Sequence, residues 1–534
     1  MNPTKNRPVS ENDRVTKATG VVGSATLLSR IFGFIRDVVI AGFFGAGLSS
    51  DAFFVAFRIP NLLRRLFAEG SLSVAFIPVF TEYLTHRGKD DAFEMARSAV
   101  RLLSVLLVVV AVAGVVFSPL IIRIIAPGFA DSPEKFSLTI FLTRIMFPYI
   151  FFIGMVALSM GILNVLGHFA APALAPVFLN ISIICSVFLI SPHLTEPVTG
   201  LAIGVVIGGV LQLALQVPFL IKKGFYFWQK AKFFNPGLKK IGRLMLPTIF
   251  GAAVYQINIL VGTLLASLLP QGSVSYLYYA DRLVQFPLGI FAVATATAVL
   301  PSLSRQAAKK DLQGVRETFS YAMKLIFFIT IPSMVGLIVL REPIVALLFR
   351  RGAFDATTTH LTAYALLYYS TGLWAFSAVR IVVSTFYALQ DTRTPVITGA
   401  VSVGANIVLG IILMGPMGHG GLALSTSLAS ILNLGLLVWA LRAKLGALGL
   451  KSITESACKT IICSGIMGTV VWAAALIMIP PEGGTAFGLF FGVLGSIIIG
   501  LVLYGSFSVL FKSRELKKVM AIAKTGTGRS EFKK

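Results

Sequence analysis

Long apolar runs, each about 20 residues or more, recur from end to end of this chain and are separated by short polar joints. Runs of that length match the apolar core of a bilayer when wound as a helix. The pattern predicts fourteen such helices, at 18–45, 50–84, 98–122, 137–165, 172–191, 198–221, 243–268, 274–303, 317–340, 357–388, 395–414, 420–441, 455–479 and 485–511. The expected fold is therefore an all-α integral membrane protein with 14 transmembrane helices. Composition agrees: 56% of the 534 residues are hydrophobic and 13% are charged, about half the charge of a soluble domain.

The pattern also repeats. "GLAIGVVIGGVLQLALQVPFL" (200–220) resembles "GLALSTSLASILNLGLLVWAL" (421–441); "LGHFAAP" (166–172) resembles "LQDTRTP" (389–395); "APGFAD" (126–131) resembles "RRGAFD" (350–355). Arg58 and Pro78 match Arg282 and Pro301 with one residue of slip. Four matches in one order at an offset near 223 indicate duplication. Each copy holds six helices, an even number, so both copies enter the membrane in the same direction. The expected organisation is an N-lobe (18–221) and a C-lobe (243–441) around a central cavity. A cytoplasmic amphipathic linker (222–242) joins them, a loop (442–454) follows, and helices 13 and 14 (455–511) lie outside the repeat. Polar segments close the chain at both ends (1–17 and 512–534).

Charge supplies orientation. One set of connections holds thirty Lys and Arg, and the alternate set holds only Arg123, Lys135, Arg341, Arg350 and Arg351. The excess marks the cytoplasmic side, which puts both termini in the cytoplasm. The net charge of +24 is largely this bias and calls for no nucleic acid. The first seventeen residues are polar, and no small-residue cleavage site closes the run after them, so helix 1 is expected to insert uncleaved. Cys185, Cys458 and Cys463 fall in apolar runs without metal or disulfide spacing, and the five His do not cluster. No metal site or bound cofactor is expected. The linker "KKGFYFWQKAKFFNPGLKKIGR" mixes Lys with aromatics, as suits a segment on an anionic leaflet.

The first two helices and helix 8 break the apolar rule. Helix 1 carries Arg30, Arg36 and Asp37; helix 2 carries Asp51, Arg58, Arg64, Arg65 and Glu69; helix 8 carries Asp281 and Arg282. A charge at mid-membrane costs about 2.5–3.5 kcal/mol, so five arginines facing lipid would cost roughly 12–17 kcal/mol. They must face a wet cavity or a partner. Arg58, Arg65 and Glu69 are spaced to share a helix face, whereas Arg64 is turned about 100° from it. Internal cancellation is one reading of the group. Against it, the arginines outnumber the acids, and surplus guanidinium groups suit a phosphate or pyrophosphate. Arg30, Arg36, Arg64 and Arg282 are the candidate residues for binding that phosphate or pyrophosphate. Asp37, Arg65, Glu69 and Asp281 are the candidate supporting ones.

At these residues, "SRIFGFIRD" (29–37), "DAFFVAFRIPNLLRRLFAEG" (51–70), "FPYI" (147–150), "YYADRLVQFPLGI" (278–290) and "LPSLSR" (300–305) resemble the MurJ (MviN) family of bacterial lipid II flippases. That family sits in the multidrug/oligosaccharidyl-lipid/polysaccharide exporter superfamily. The resemblance implies transport of a polyprenyl-pyrophosphate-linked peptidoglycan precursor, lipid II, across the bacterial inner membrane, with no enzymatic step. It implies cavity arginines at Arg30, Arg36, Arg64 and Arg282, supporting residues at Asp37, Asp51 and Asn61, and a lipid-tail groove at 455–511. Gln285 stands where some members carry an acid. Some members also bind sodium between helices 7, 11 and 12; that site has no clear place here, so a coupling ion stays open beside the membrane potential. A monomer among membrane lipids is the expected state. The alternatives are a flippase for another polyprenyl-pyrophosphate oligosaccharide, a cation or drug exporter, which would want acids in the cavity, and a membrane glycosyltransferase or phosphatase, which would want His or paired Asp.

Overall fold

The computed structural model describes residues 11–66, 72–230, 232–480, 485–511, 513 and 515–516. Among these the chain is helical throughout, with no strand. It divides into two compact units, 1–272 and 273–534. The first contains α1 (Glu11–Phe44), α2 (Leu48–Leu66), α3 (Leu72–His86), α4 (Lys89–Val116), α5 (Ser118–Ile125), α6 (Pro133–Met146), α7 (Tyr149–Val165), α8 (Ala170–Leu189), α9 (Thr199–Lys222) and α10 (Pro236–Ser267). The second contains α11 (Ser273–Pro287), α12 (Val293–Ala308), α13 (Leu312–Val339), α14 (Arg341–Phe349), α15 (Ala356–Thr371), α16 (Leu373–Ala388), α17 (Arg393–Leu445), α18 (Leu450–Met478) and α19 (Ala486–Leu510). A single π-helical turn, Leu288–Ala292, joins α11 to α12.

The duplication is visible in the backbone. Helix α4 runs from 89 to 116 and α13 from 312 to 339, the same length 223 residues on. The turn after α7 places Gly167 at φ 76°, and the turn after α16 places Gln390 at φ 59°. In the first turn Gly167 and His168 donate to the carbonyls of Asn164 and Leu163; in the second, Gln390 and Asp391 donate to Tyr387 and Phe386. These are the same paired helix-ending bonds at the same offset. The matched segments 126–131 and 350–355 follow the short helices α5 and α14.

Nine described helices are long and apolar enough to cross a membrane, or ten when the bent pair α15–α16 counts as one span. The gap from fourteen has physical sources. Helix α17 has 53 residues, about 80 Å at 1.5 Å per residue, too long for one crossing of a core about 30 Å thick. Its backbone leaves helical geometry at Gly418, φ 55°, between the predicted helices 395–414 and 420–441. The charged helices α1 and α2 are not in the apolar set, and of predicted helix 2 the described residues form α2 and α3.

Apolar side chains lie both inside and outside, as lipid solvent allows. On α4, Val105, Val109, Val112 and Val116 form an outward stripe, each more than half exposed. Phe53, Phe76, Phe80 and Tyr149 are fully buried in the first unit. Phe319, Ile326, Ala378, Phe386 and Leu441 centre the second. Helices α18 and α19 dock there through Cys463, Met467, Val471 and Tyr504 against Phe328 and Leu340. The Tyr504 hydroxyl donates to the Phe328 carbonyl at 2.7 Å.

The unit boundary differs from the expected lobe boundary. Helix α10, the predicted first helix of the C-lobe, belongs to the first unit, where it packs on α2, α3, α4 and α5. Both its ends are pinned. Asn235 caps the start, accepting from the Gly237 N–H at 2.9 Å and from the Tyr83 hydroxyl at 3.1 Å. At the far end Ser267 Oγ accepts from the Gly128 N–H at 3.3 Å. Gly128 is closely abutted there: a Cβ on it would lie 2.2 Å from the Ser267 carbonyl oxygen.

Candidate functional site

In the first unit the arginines fall into three environments. Arg30 is exposed on α1. Arg36, two turns on, is buried. Its Nη2 and Nε reach Asp37 Oδ1 at 2.6 and 3.0 Å, and its Nη1 donates to Asn180 Oδ1 at 3.0 Å. Asn180, on α8, turns its own Nδ2 to the Ser29 carbonyl at 3.2 Å. One amide thus grips α1 a little under two turns apart, at Ser29 and at Arg36. A buried guanidinium needs such charge-assisted bonds, because an unmatched one carries its full desolvation cost. Asp37 is therefore the counter-charge of Arg36.

Helix α2 presents the second group. Arg58, Asn61 and Arg65 follow one another at i, i+3 and i+7, the spacing of a single face. All three are half-buried. With Leu62 they line a hollow of about 20 Å³, closed on its other side by Gln256, Ile259 and Leu260 of α10. That is room for about one water. Arg64 lies beside this face and its Nε donates to Asn61 Oδ1 at 3.1 Å. Asn61 therefore supports Arg64 directly. Glu69 lies outside the described residues.

Asp51, near the start of α2, is 1% exposed. Its Oδ2 takes Lys135 Nζ of α6 at 2.7 Å and the Gly272 N–H at 2.7 Å. The same ammonium sits 4.0 Å from the Phe129 ring centroid. Lys135 and Asn180 were not among the sequence candidates. Lys135 reads in the sequence only as a loop cation, and a neutral amide in an apolar run carries little signal.

In the second unit, Arg282 donates through Nη2 to the Tyr278 hydroxyl at 2.8 Å, with its guanidinium carbon 4.8 Å from that ring. One turn separates the two residues. Asp281 accepts a hydrogen bond from the Gln285 amide. Both Asp281 and Arg282 are half-buried on α11. Among the described residues no three of His, Cys, Asp and Glu come together as a metal would require.

Half-buried guanidinium groups held by a side-chain bond, as Arg64 and Arg282 are, have the chemistry to receive an oxyanion. Comparison with known proteins bears on which. The family model for "Lipid II flippase MurJ" matches residues 40–495. The chain belongs to this family. A Vibrio cholerae relative, described as probable lipid II flippase MurJ, is 43% identical over 436 residues, covering 80% of this chain and 83% of that protein. A Burkholderia cenocepacia MurJ is 38% identical over 80% of this chain and 83% of its own. Among solved structures, a MurJ in an inward closed conformation superposes with a TM-score of 0.78 at 31% identity, covering 92% of this chain and 98% of that one. An inward-facing multidrug transporter of the MATE family, 18% identical, superposes at 0.67 over 81% of this chain and 99% of its own, and shows the shared fold. The apolar helices and the MurJ family together make this a multi-pass protein of the bacterial inner membrane.

Proposed function

We propose that this chain translocates lipid II, the polyprenyl-pyrophosphate-linked peptidoglycan precursor, from the inner to the outer leaflet by alternating access. The observation that carries this is membership of the MurJ family over residues 40–495, and the arginines carried by α1, α2 and α11 support it. Arg30, Arg36, Arg64 and Arg282 bind the pyrophosphate and headgroup. Asp37, Asn61 and Asn180 hold Arg36 and Arg64 in place, Asp51 braces α2, and Arg65, Glu69 and Asp281 complete the supporting set. The polyprenyl chain stays in lipid along α18 and α19, whose outward faces include Trp472 and Phe491. The headgroup leaves chemically unchanged and no cofactor takes part. Both termini are cytoplasmic, as the distribution of Lys and Arg supports.

Membrane voltage is the proposed drive. An inside-negative potential favours the outward passage of an anion by about 2.3 kcal/mol per charge per 100 mV. It then draws the emptied cationic site back inward. Two measurements test the reading. Depleting the protein in its host should accumulate lipid II on the inner leaflet; accumulation of a different polyprenyl-linked oligosaccharide would transfer the assignment to that substrate. Collapsing the potential across vesicles that hold the purified protein should stop translocation, and an unchanged rate would remove voltage as the driver. Arg→Ala at 30, 36, 64 or 282 should abolish complementation while the protein still inserts. Arg→Lys should be only partly tolerated, since the planar fork is lost.

A further inference from the structure

We propose that the strap 223–235, between α9 and α10, is a seat for anionic phospholipid headgroups of the inner leaflet, distinct from the transport substrate. The inference rests on the orientation proposed above. The described residues of the strap cross the start of α4 without forming a helix there. Phe225 is fully buried and meets Phe93 edge-on at 5.5 Å. Gln229 is held twice: Arg97 Nη1 donates to its Oε1 at 2.6 Å, and Arg101 Nη2 donates to its carbonyl at 3.1 Å. Ser98 Oγ donates to the Lys232 carbonyl at 2.6 Å.

This clamped backbone leaves large apolar rings outside. Trp228 is 68% exposed and Phe234 is 79% exposed. A pinned segment cannot withdraw such rings, and water is a poor surrounding for them. Their position supplies a better one. Arg101 lies one helical turn, about 6 Å, before Val105, where the outward apolar stripe of α4 begins. The strap therefore sits at the foot of a lipid-facing surface, the level at which Trp prefers to lie.

Charge selects the lipid. Residues 222–240 contain six Lys and no Asp or Glu. Lys240 is paired with Glu82; Lys222, Lys223, Lys230, Lys232 and Lys239 are exposed. Ammonium groups around an interfacial Trp match a phosphate-bearing headgroup of net negative charge. A zwitterionic headgroup offers them much less.

Trp228 reports on this directly. Substituting Trp374→Phe, Trp439→Phe and Trp472→Phe leaves it the sole Trp of the four in the chain. The full-length protein is placed in phosphatidylcholine vesicles that carry an equal minor fraction of either brominated phosphatidylglycerol or brominated phosphatidylcholine. One retained basic contact enriches an anionic lipid roughly fivefold, so quenching by the brominated phosphatidylglycerol should be several-fold stronger. The preference should vanish on Lys222→Gln, Lys223→Gln, Lys230→Gln and Lys232→Gln together. Equal quenching by the two lipids in the parent, or a preference that survives the four substitutions, overturns the proposal. Unbrominated lipid II added in excess should leave the quenching in place; relief of quenching would assign the strap to the transport substrate and overturn the separate site. Should the triple Trp variant not insert, the quenching lost on Trp228→Phe in the otherwise unaltered chain reads the same quantity. Translocation is not measured, so failure here and failure of the flippase reading are told apart.

Discussion

Replacing Lys135 with Met removes one half of a buried ion pair and keeps the volume. Asp51, 1% exposed, is then left as a carboxylate at the core of the first unit. It retains the Gly272 N–H at 2.7 Å but loses its ammonium. Breaking a buried pair from one side typically costs about 3–5 kcal/mol. The ammonium's place over the Phe129 ring, 4.0 Å away, adds to that loss. At about 2 °C per kcal/mol, the scale for large domains, the midpoint of unfolding should fall by about 6–10 °C. The double variant Asp51→Leu/Lys135→Met removes the stranded charge as well. The remainder includes an orphaned Gly272 N–H, worth about 1–3 kcal/mol. The double variant should therefore melt above Lys135→Met. Fluorescent fusions of the three chains, heated in detergent and passed over a sizing column, give the midpoints. A Lys135→Met protein that melts with the parent, or a double variant that melts well below the single, refutes the reasoning.

Asn180→Leu should leave the protein in the membrane but slow transport. The Arg36 guanidinium loses an acceptor worth about 1.5–3 kcal/mol, and vesicle translocation at unchanged expression checks it. Gly128→Ala would put a methyl group 2.2 Å from the Ser267 carbonyl oxygen, so the end of α10 must move. A lowered melting midpoint is expected, larger than for Gly→Ala at the open position Gly242. Asp391, in the turn before α17, feels burial against its charge, but bonds from Lys444 and from the Thr394 hydroxyl and N–H outweigh it and hold the carboxyl below the usual carboxylate range. Its folded pKa is thus below its unfolded one. The stabilisation is full above about pH 4 and fades as pH falls below that. The gap in melting midpoint between parent and Asp391→Asn should be present at about pH 7 and should close toward about pH 3; a constant gap would contradict the pairing.

Hydrophobic periodicity could read what lipid enforces. The apolar runs, the kinked joint near Gly418 and the offset of the repeat were all legible, because each is a local matter of which residues water or lipid will accept. The arginines were legible for the opposite reason, since they violate that rule. What could not be read was choice of partner. Asp51 had arginines nearby in sequence, yet its carboxylate takes Lys135, 84 residues away. Arg36 uses the adjacent Asp37, as spacing allowed, and also Asn180 from another helix. Helix α10 begins the second copy in sequence but packs with the first. Duplication fixes order along the chain, whereas packing is decided by contacts such as Tyr83 with Asn235 and Gly128 with Ser267. Residue counting could not weigh those.

Because α10 lies in the first unit, the chain leaves that unit once, at the peptide between Gly272 and Ser273. Gly272 has φ 93°, a conformation open to glycine and strained for nearly any other residue. Its amide hangs on Asp51. In mechanical language this is a tether tied to an anchor bolt. Tension applied along the covalent crossing is delivered to the carboxylate of α2 and through it to Lys135 on α6. The helix that carries Arg58, Arg64 and Arg65 is thus the one to which the crossing is tied.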